Sequence, residues 1–110
     1  MTVMFCSYDK QPLIMRLYGK AKVSHPRDES WDELVSLFPK LHGMRQFFEI
    51  EIDLVQTSCG FAVPFYELVG ERPALENWAQ KKGDEGVQEY WKQKNTKSID
   101  GADTGIFEDI

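Results

Sequence analysis

The chain has 110 residues, 42% hydrophobic and 28% charged, with a net charge of −5 and a pI near 5.0. That length allows one domain at most, and the acidity argues against non-specific binding to nucleic acid or anionic membranes. No apolar run is long enough to span a bilayer and no basic-then-apolar leader is visible, so the expectation is a soluble, cytoplasmic protein. The aromatic share of 13%, with three Trp and seven Phe, points to large packing surfaces, a subunit interface among them.

In chain order, Thr2 to Tyr8 alternates as a strand, and Asp9-Lys10-Gln11-Pro12 is a polar turn. Leu13 to Val23 is the cleanest strand. Leu13, Met15, Leu17, Gly19, Ala21 and Val23 form one face, and Arg16, Tyr18, Lys20 and Lys22 the other. The short connection predicts an antiparallel hairpin. Ser24 to Asp28 is a loop. Ser30 and Glu33 then have capping-box spacing, ahead of an apolar stripe of Trp31, Leu34, Val35 and Phe38 that Pro39 ends. Arg45 to Val55 predicts a third strand, with Phe48, Ile50, Ile52 and Leu54 toward the core. Its outward acids Glu49, Glu51 and Asp53 would lie opposite Arg16, Lys20 and Lys22 if the two strands pair. Phe61 to Val69 reads as a fourth strand, which Pro64 assigns to an edge or a bulge.

From Glu71 the period becomes helical. Pro73 suits a first helical position, Leu75, Trp78 and Ala79 form a stripe, and Gly83 closes the helix. Asp84 caps a second helix with Val87, Tyr90, Trp91 and Lys94 on its stripe. Residues 98–110 read as a polar, acidic and disordered tail that ends at Glu108-Asp109. The fold class is therefore α+β: about four antiparallel strands, one inserted helix and C-terminal helices, spanning residues 1–97. Four strands with amphipathic faces leave edges open, as in an incomplete barrel.

The stretch richest in chemistry is Gln56-Thr57-Ser58-Cys59-Gly60, where the alternation stops and small polar side chains arrive together. These side chains either face a ligand or satisfy a local bulge. Cys59 has no basic neighbour in sequence and reads as a structural thiol. Cys6 and Cys59 lack a C-x-x-C pair, and with His25 and His42 they show no metal-ligand spacing, so neither a disulfide nor a metal site is expected. Lys20 and Lys22 read as a solvated face, and Trp78, Tyr90 and Trp91 as packing residues. No catalytic triad, H-E-x-x-H motif or committed carboxylate pair is present.

Several segments, in order, resemble the pyridoxamine 5′-phosphate oxidase-like family of FMN-binding split barrels, over its C-terminal half. They are Met4-Phe5-Cys6, Leu17-Tyr18-Gly19-Lys20-Ala21-Lys22-Val23, His25-Pro26, Trp31-Asp32-Glu33-Leu34, Val55-Gln56-Thr57-Ser58-Cys59-Gly60, Val63-Pro64, Tyr66-Glu67, Trp78-Ala79, Lys81-Lys82-Gly83, Lys94-Asn95 and Ser98-Ile99-Asp100-Gly101. Together they cover nearly the whole chain. The resemblance implies an antiparallel split barrel, a homodimer, and FMN in a groove between subunits. It further implies that Gln56, Thr57, Ser58 and Cys59, with Asn95 and Ser98 from the C-terminal segment, approach the cofactor. The N-terminal half of such a barrel has no counterpart here, so the chain is expected to be a shortened member.

Three functions follow as alternatives. The first is an FMN-dependent oxidoreductase-like protein acting on a small molecule, with the flavin carrying the redox chemistry. The second is a non-catalytic half-barrel serving as a dimerisation or binding module. The third is an unrelated α+β interaction protein, which the ordered matches disfavour.

Overall fold

The computed structural model describes residues 1–107. The chain forms two compact units. One comprises Met1–Ser24 and Phe47–Glu71; the other comprises His25–Gln46 and the residues from Arg72 onward.

The first unit is an antiparallel sheet of three strands, β1 (Thr2–Cys6), β2 (Ile14–Ser24) and β3 (Phe47–Ser58), in the order β1-β2-β3. The expected hairpin is present, closed by Ser7 N–H donating to the Leu13 carbonyl at 2.9 Å. Lys20 and Lys22 stand opposite Glu51 and Glu49 as the outward pattern predicted, whereas Arg16 stands opposite Gln56.

One irregularity organises the sheet. Tyr18 pairs with Leu54 but Gly19 pairs with Ile52, so β3 carries one extra residue, Asp53. A one-residue shift exchanges the two faces of a strand. Beyond the bulge Val55, not Leu54, joins the apolar face. That face reads across the ladder as Phe48–Val23, Ile50–Ala21, Ile52–Gly19, Val55–Leu17–Val3 and Thr57–Met15–Phe5. The expectation that Leu54 shares a face with Ile52 is thereby corrected. β3 approaches β2 so closely here that a Cβ on Gly19 would lie 2.1 Å from the Glu51 carbonyl oxygen. Only a residue with no side chain fits that contact.

The fourth expected strand does not form: no residue of 61–69 is in a strand. Gly60 turns the chain at φ 65°, and Val63 N–H returns to the Gly60 carbonyl at 3.0 Å. Pro64 has no N–H to donate to a ladder. Tyr66 N–H reaches the Tyr8 carbonyl at 3.2 Å, and the two rings meet edge to face with centroids 5.2 Å apart. The rest of the segment is open, with Leu68 at 85% and Val69 at 102% exposure. The sheet thus has three strands where four were expected.

The second unit holds α1 (Trp31–Ser36), inserted between β2 and β3, and the C-terminal α2 (Ala74–Lys94). Ser30 stands at the N-cap of α1 as the capping box predicts, but its side chain makes no capping hydrogen bond. Trp31 N–H instead donates to the Asp28 carbonyl at 3.0 Å. α2 is two helices joined across Gly83, whose φ 70° and ψ 168° lie in a region essentially confined to glycine. The sequence placed its break at that residue. The buried apolar core of this unit is Ala79, Val87 and Ile106. The turn at Gly43 seats against Ala79 and Val87.

Residues 97–107 are tied down, unlike the disordered tail expected. Lys97 forms an isolated bridge with Asp103, Thr104 N–H donates to the Thr96 carbonyl at 3.1 Å, and Ile106 is buried. The acidic end at Glu108-Asp109 lies outside the described residues. Among the described residues, no helix is long and apolar enough to cross a membrane.

Gly19→Ala is expected to destabilise the sheet by ~2 kcal/mol or more, because a backbone carbonyl must move. Faster amide exchange along β2 would report it. Gly83→Ala meets no neighbouring atom, so its expected loss of about 1–3 kcal/mol comes from backbone conformation alone. Denaturant unfolding of that variant, followed by helical circular dichroism, measures it.

Candidate functional site

The bulge decides where the Gln56–Cys59 side chains point. β3 runs through Ser58 instead of stopping at Val55, so Gln56, Thr57 and Ser58 are ladder residues and not a strand end. Gln56 and Ser58 share the face of Arg16, Tyr18 and Ile14, while Thr57 lies on the apolar face opposite Met15. The three of the four expected residues that lie in the strand are therefore split between its two faces. Cys59 follows the strand, is exposed, and is a free thiol; Cys6 is also free and half-buried.

On the polar face the side chains are joined across the strands. The Tyr18 hydroxyl donates to Gln56 Oε1 at 2.9 Å, and Arg16 Nη1 donates to Ser58 Oγ at a longer 3.4 Å. Both bonds are solvent-exposed. The result is a strip carrying one guanidinium, one carboxamide and two hydroxyls on adjacent strands. Met4, opposite Arg16, and Leu54, opposite Tyr18, bracket it with large exposed side chains. Arg16 and Tyr18 were read from sequence only as an outward face. Their partnership with Gln56 and Ser58 depends on the bulge, which no sequence pattern announced.

Asn95 and Ser98 belong to the helical unit. Asn95 is the C-cap of α2: its N–H donates to the Trp91 carbonyl at 2.8 Å, and its carbonyl accepts from the Thr104 hydroxyl at 2.5 Å. Its side-chain carboxamide makes no hydrogen bond to another described residue. Ser98 is committed to a turn. Its N–H donates to the Ala102 carbonyl at 2.8 Å, its carbonyl accepts from Gly101 N–H at 2.9 Å, and its hydroxyl donates to Asp100 Oδ1. That hydroxyl is the main reason the Asp100 carboxyl sits below its ordinary value, with help from the backbone N–H groups of Asp100 and Ala102. Ser98 is thus occupied in shaping its own loop.

The chain is 35% identical, over 91% of its length, to the pyridoxamine 5′-phosphate oxidase family protein ustO of Aspergillus flavus. It spans about half of that protein, 46% of its length. No protein-family model matches the chain, and no solved structure matches it.

Removing the Ser98 hydroxyl is expected to raise the Asp100 pKa toward the ordinary carboxylate value. A depressed folded pKa means that ionised Asp100 favours the turn above its unfolded value, and that this contribution disappears as pH falls through the folded one. Carboxyl chemical shifts of the Ser98→Ala protein, titrated against the parent, test the assignment.

Proposed function

The chain belongs to the pyridoxamine 5′-phosphate oxidase family over the part of its relative that it matches, and from that premise we propose that it is an FMN-binding, oxidoreductase-like half of a split barrel that acts as a homodimer. The observation that carries this reading is the polar strip of Arg16, Tyr18, Gln56 and Ser58 on a sheet whose other face is apolar. The apolar face is the inner wall of the barrel in this reading. The strip lies on the outside, facing the partner, with the flavin between them.

The donor set fits such a cofactor. A flavin mononucleotide presents a phosphate, a chain of hydroxyls and a pyrimidine edge with both donors and acceptors. Arg16 supplies a fork for an anionic oxygen. The Gln56 carboxamide still has its N–H donors, and the Ser58 and Tyr18 hydroxyls can each exchange partners. When bound, the flavin would supply the electron-transfer chemistry. These residues would hold and orient it, and Met4 and Leu54 would shield the strip from water once a partner covers them.

Surface exposure supports association. On the polar face Met4 and Leu54 are each more than half exposed beside the strip, and large apolar side chains left in water next to convergent polar groups mark an interaction surface.

A second reading is a non-catalytic half-barrel that dimerises through its apolar face. It is favoured by the mutual satisfaction of Gln56 with Tyr18 and of Ser58 with Arg16, which leaves a ligand less to gain. Substitution separates the two. If the first reading holds, Leu54→Asp disrupts the dimer and Phe48→Asp does not.

The deciding experiment equilibrates the purified chain with excess FMN, removes free flavin, and records the visible spectrum with the native mass. A dimer retaining about one flavin per subunit is the expected outcome, with Gln56→Ala plus Ser58→Ala weakening flavin affinity about tenfold or more. A colourless dimer would transfer the assignment to the second reading, and a colourless monomer would overturn both.

A further inference from the structure

The helical unit contains a cavity that the flavin reading does not use. It holds about 230 Å³, opens to solvent on one side, and counts Arg27, Arg45, Gln88, Trp91, Ile106 and Phe107 among its lining residues. We propose that this cavity is a binding site for a small aromatic carboxylate, with Arg45 holding the carboxylate and Trp91 and Phe107 enclosing the ring.

Three observations carry the assignment. First, the lining holds two arginines and no acidic residue among the described residues, in a chain whose net charge is −5. Lys92 adds positive charge at the edge, its ammonium 6.0 Å from the centre of the Phe107 ring. An anion is the complementary ligand.

Second, the two arginines have different employment. Arg27 donates from Nη1 to the Ile106 carbonyl and from Nη2 to the Gly105 carbonyl, both at 2.7 Å. Its two terminal nitrogens are therefore each committed to backbone that lines the cavity, which makes it the poorer clamp of the two. The Arg45 guanidinium has no hydrogen bond or ion pair to another described residue, although Arg45 is half-buried. An uncommitted planar fork beside a cavity is the group that recognises a carboxylate in bidentate fashion.

Third, the remaining wall is aromatic and aliphatic: Trp91, Phe107 and the buried Ile106. Such walls reward a flat apolar body and offer little to a fully hydrated anion. The volume lies below the usual range for drug-sized ligands, roughly 300–1,000 Å³, and matches a body of about a single ring. Gln88 provides one further polar contact for a ring substituent or the second carboxylate oxygen.

Benzoate is a direct probe, titrated into the full chain while the indole N–H resonances are followed; Trp91→Phe identifies the Trp91 signal. Benzoate is expected to shift that signal saturably. Benzyl alcohol lacks the charge, acetate lacks the ring and inorganic phosphate lacks both ring and carboxylate, so each should bind at least about tenfold more weakly. Arg45→Gln should weaken benzoate by a similar factor with the rest of the spectrum unchanged. Arg45→Lys keeps the charge without the fork and should fall between the two. The proposal is overturned by the absence of a saturable shift, by equal binding of benzyl alcohol, acetate or phosphate, or by undiminished binding in a folded Arg45→Gln protein. None of these outcomes depends on whether FMN binds the sheet unit.

Discussion

The extra residue in β3 is the constraint on which the sheet unit depends. Without Asp53 as a bulge, strict alternation would carry Leu54 and Gln56 to the apolar face with Ile52, and would place Val55 and Thr57 opposite Arg16-facing positions. With it, Val55 meets Leu17 and Val3, while Gln56 and Ser58 meet Arg16 and Tyr18. The bulge requires the two backbones to close up, and Gly19 is the residue that permits it. A packing feature at one residue therefore separates an apolar wall from a polar strip along the whole lower half of the ladder.

The two units solve the problem of burial differently. The helical unit closes around a small core of Ala79, Val87 and Ile106, and Arg27 ties the chain after α2 to the loop before α1 through two backbone carbonyls. The sheet unit has no fully buried apolar side chain among the described residues; Phe5, Phe48, Ile52 and Val55 on its apolar face each stay about half exposed. A three-stranded sheet needs a layer against one face to be stable. The exposure is a property of the sheet's sequence and not of a loosely built ladder, since β2 and β3 pair along their full length. The open segment after Gly60 contributes further apolar side chains to the same deficit.

Much of this was legible in the sequence. The hairpin, the inserted helix, the third strand and the break at Gly83 all followed from period, caps and glycine placement, because these are local effects. Three features were not. The bulge arises from a contact between Gly19 and Glu51, which are far apart in sequence, and the alternation of β3 ran smoothly past it. The segment from Phe61 to Val69 has strand-like residues, but Gly60 and Pro64 remove the conformations and donors that a ladder needs. Ser98 was read toward a cofactor only from the family resemblance, and the residues alone gave no sign of the turn through Asp100 and Ala102 in which its hydrogen-bonding groups are engaged. For the strip, the sequence identified Gln56 and Ser58 but missed Arg16 and Tyr18 as their partners, since pairing partners follow from register and register followed from the bulge.

The strip and the dimer are thermodynamically linked in the proposed function. Exposed to water, the 3.4 Å contact between Arg16 and Ser58 contributes little, and a ligand laid along it competes with solvent for every group. Covering Met4 and Leu54 removes that competition and lowers the local dielectric, which strengthens each remaining polar contact. In that reading the strip would hold a flavin better in the dimer than in the monomer. By linkage, the factor by which dimerisation raises flavin affinity equals the factor by which flavin tightens the dimer. In the same reading the driving force for association at the strip would come from covering the exposed Met4 and Leu54, and the polar groups between them would select what lies against the partner.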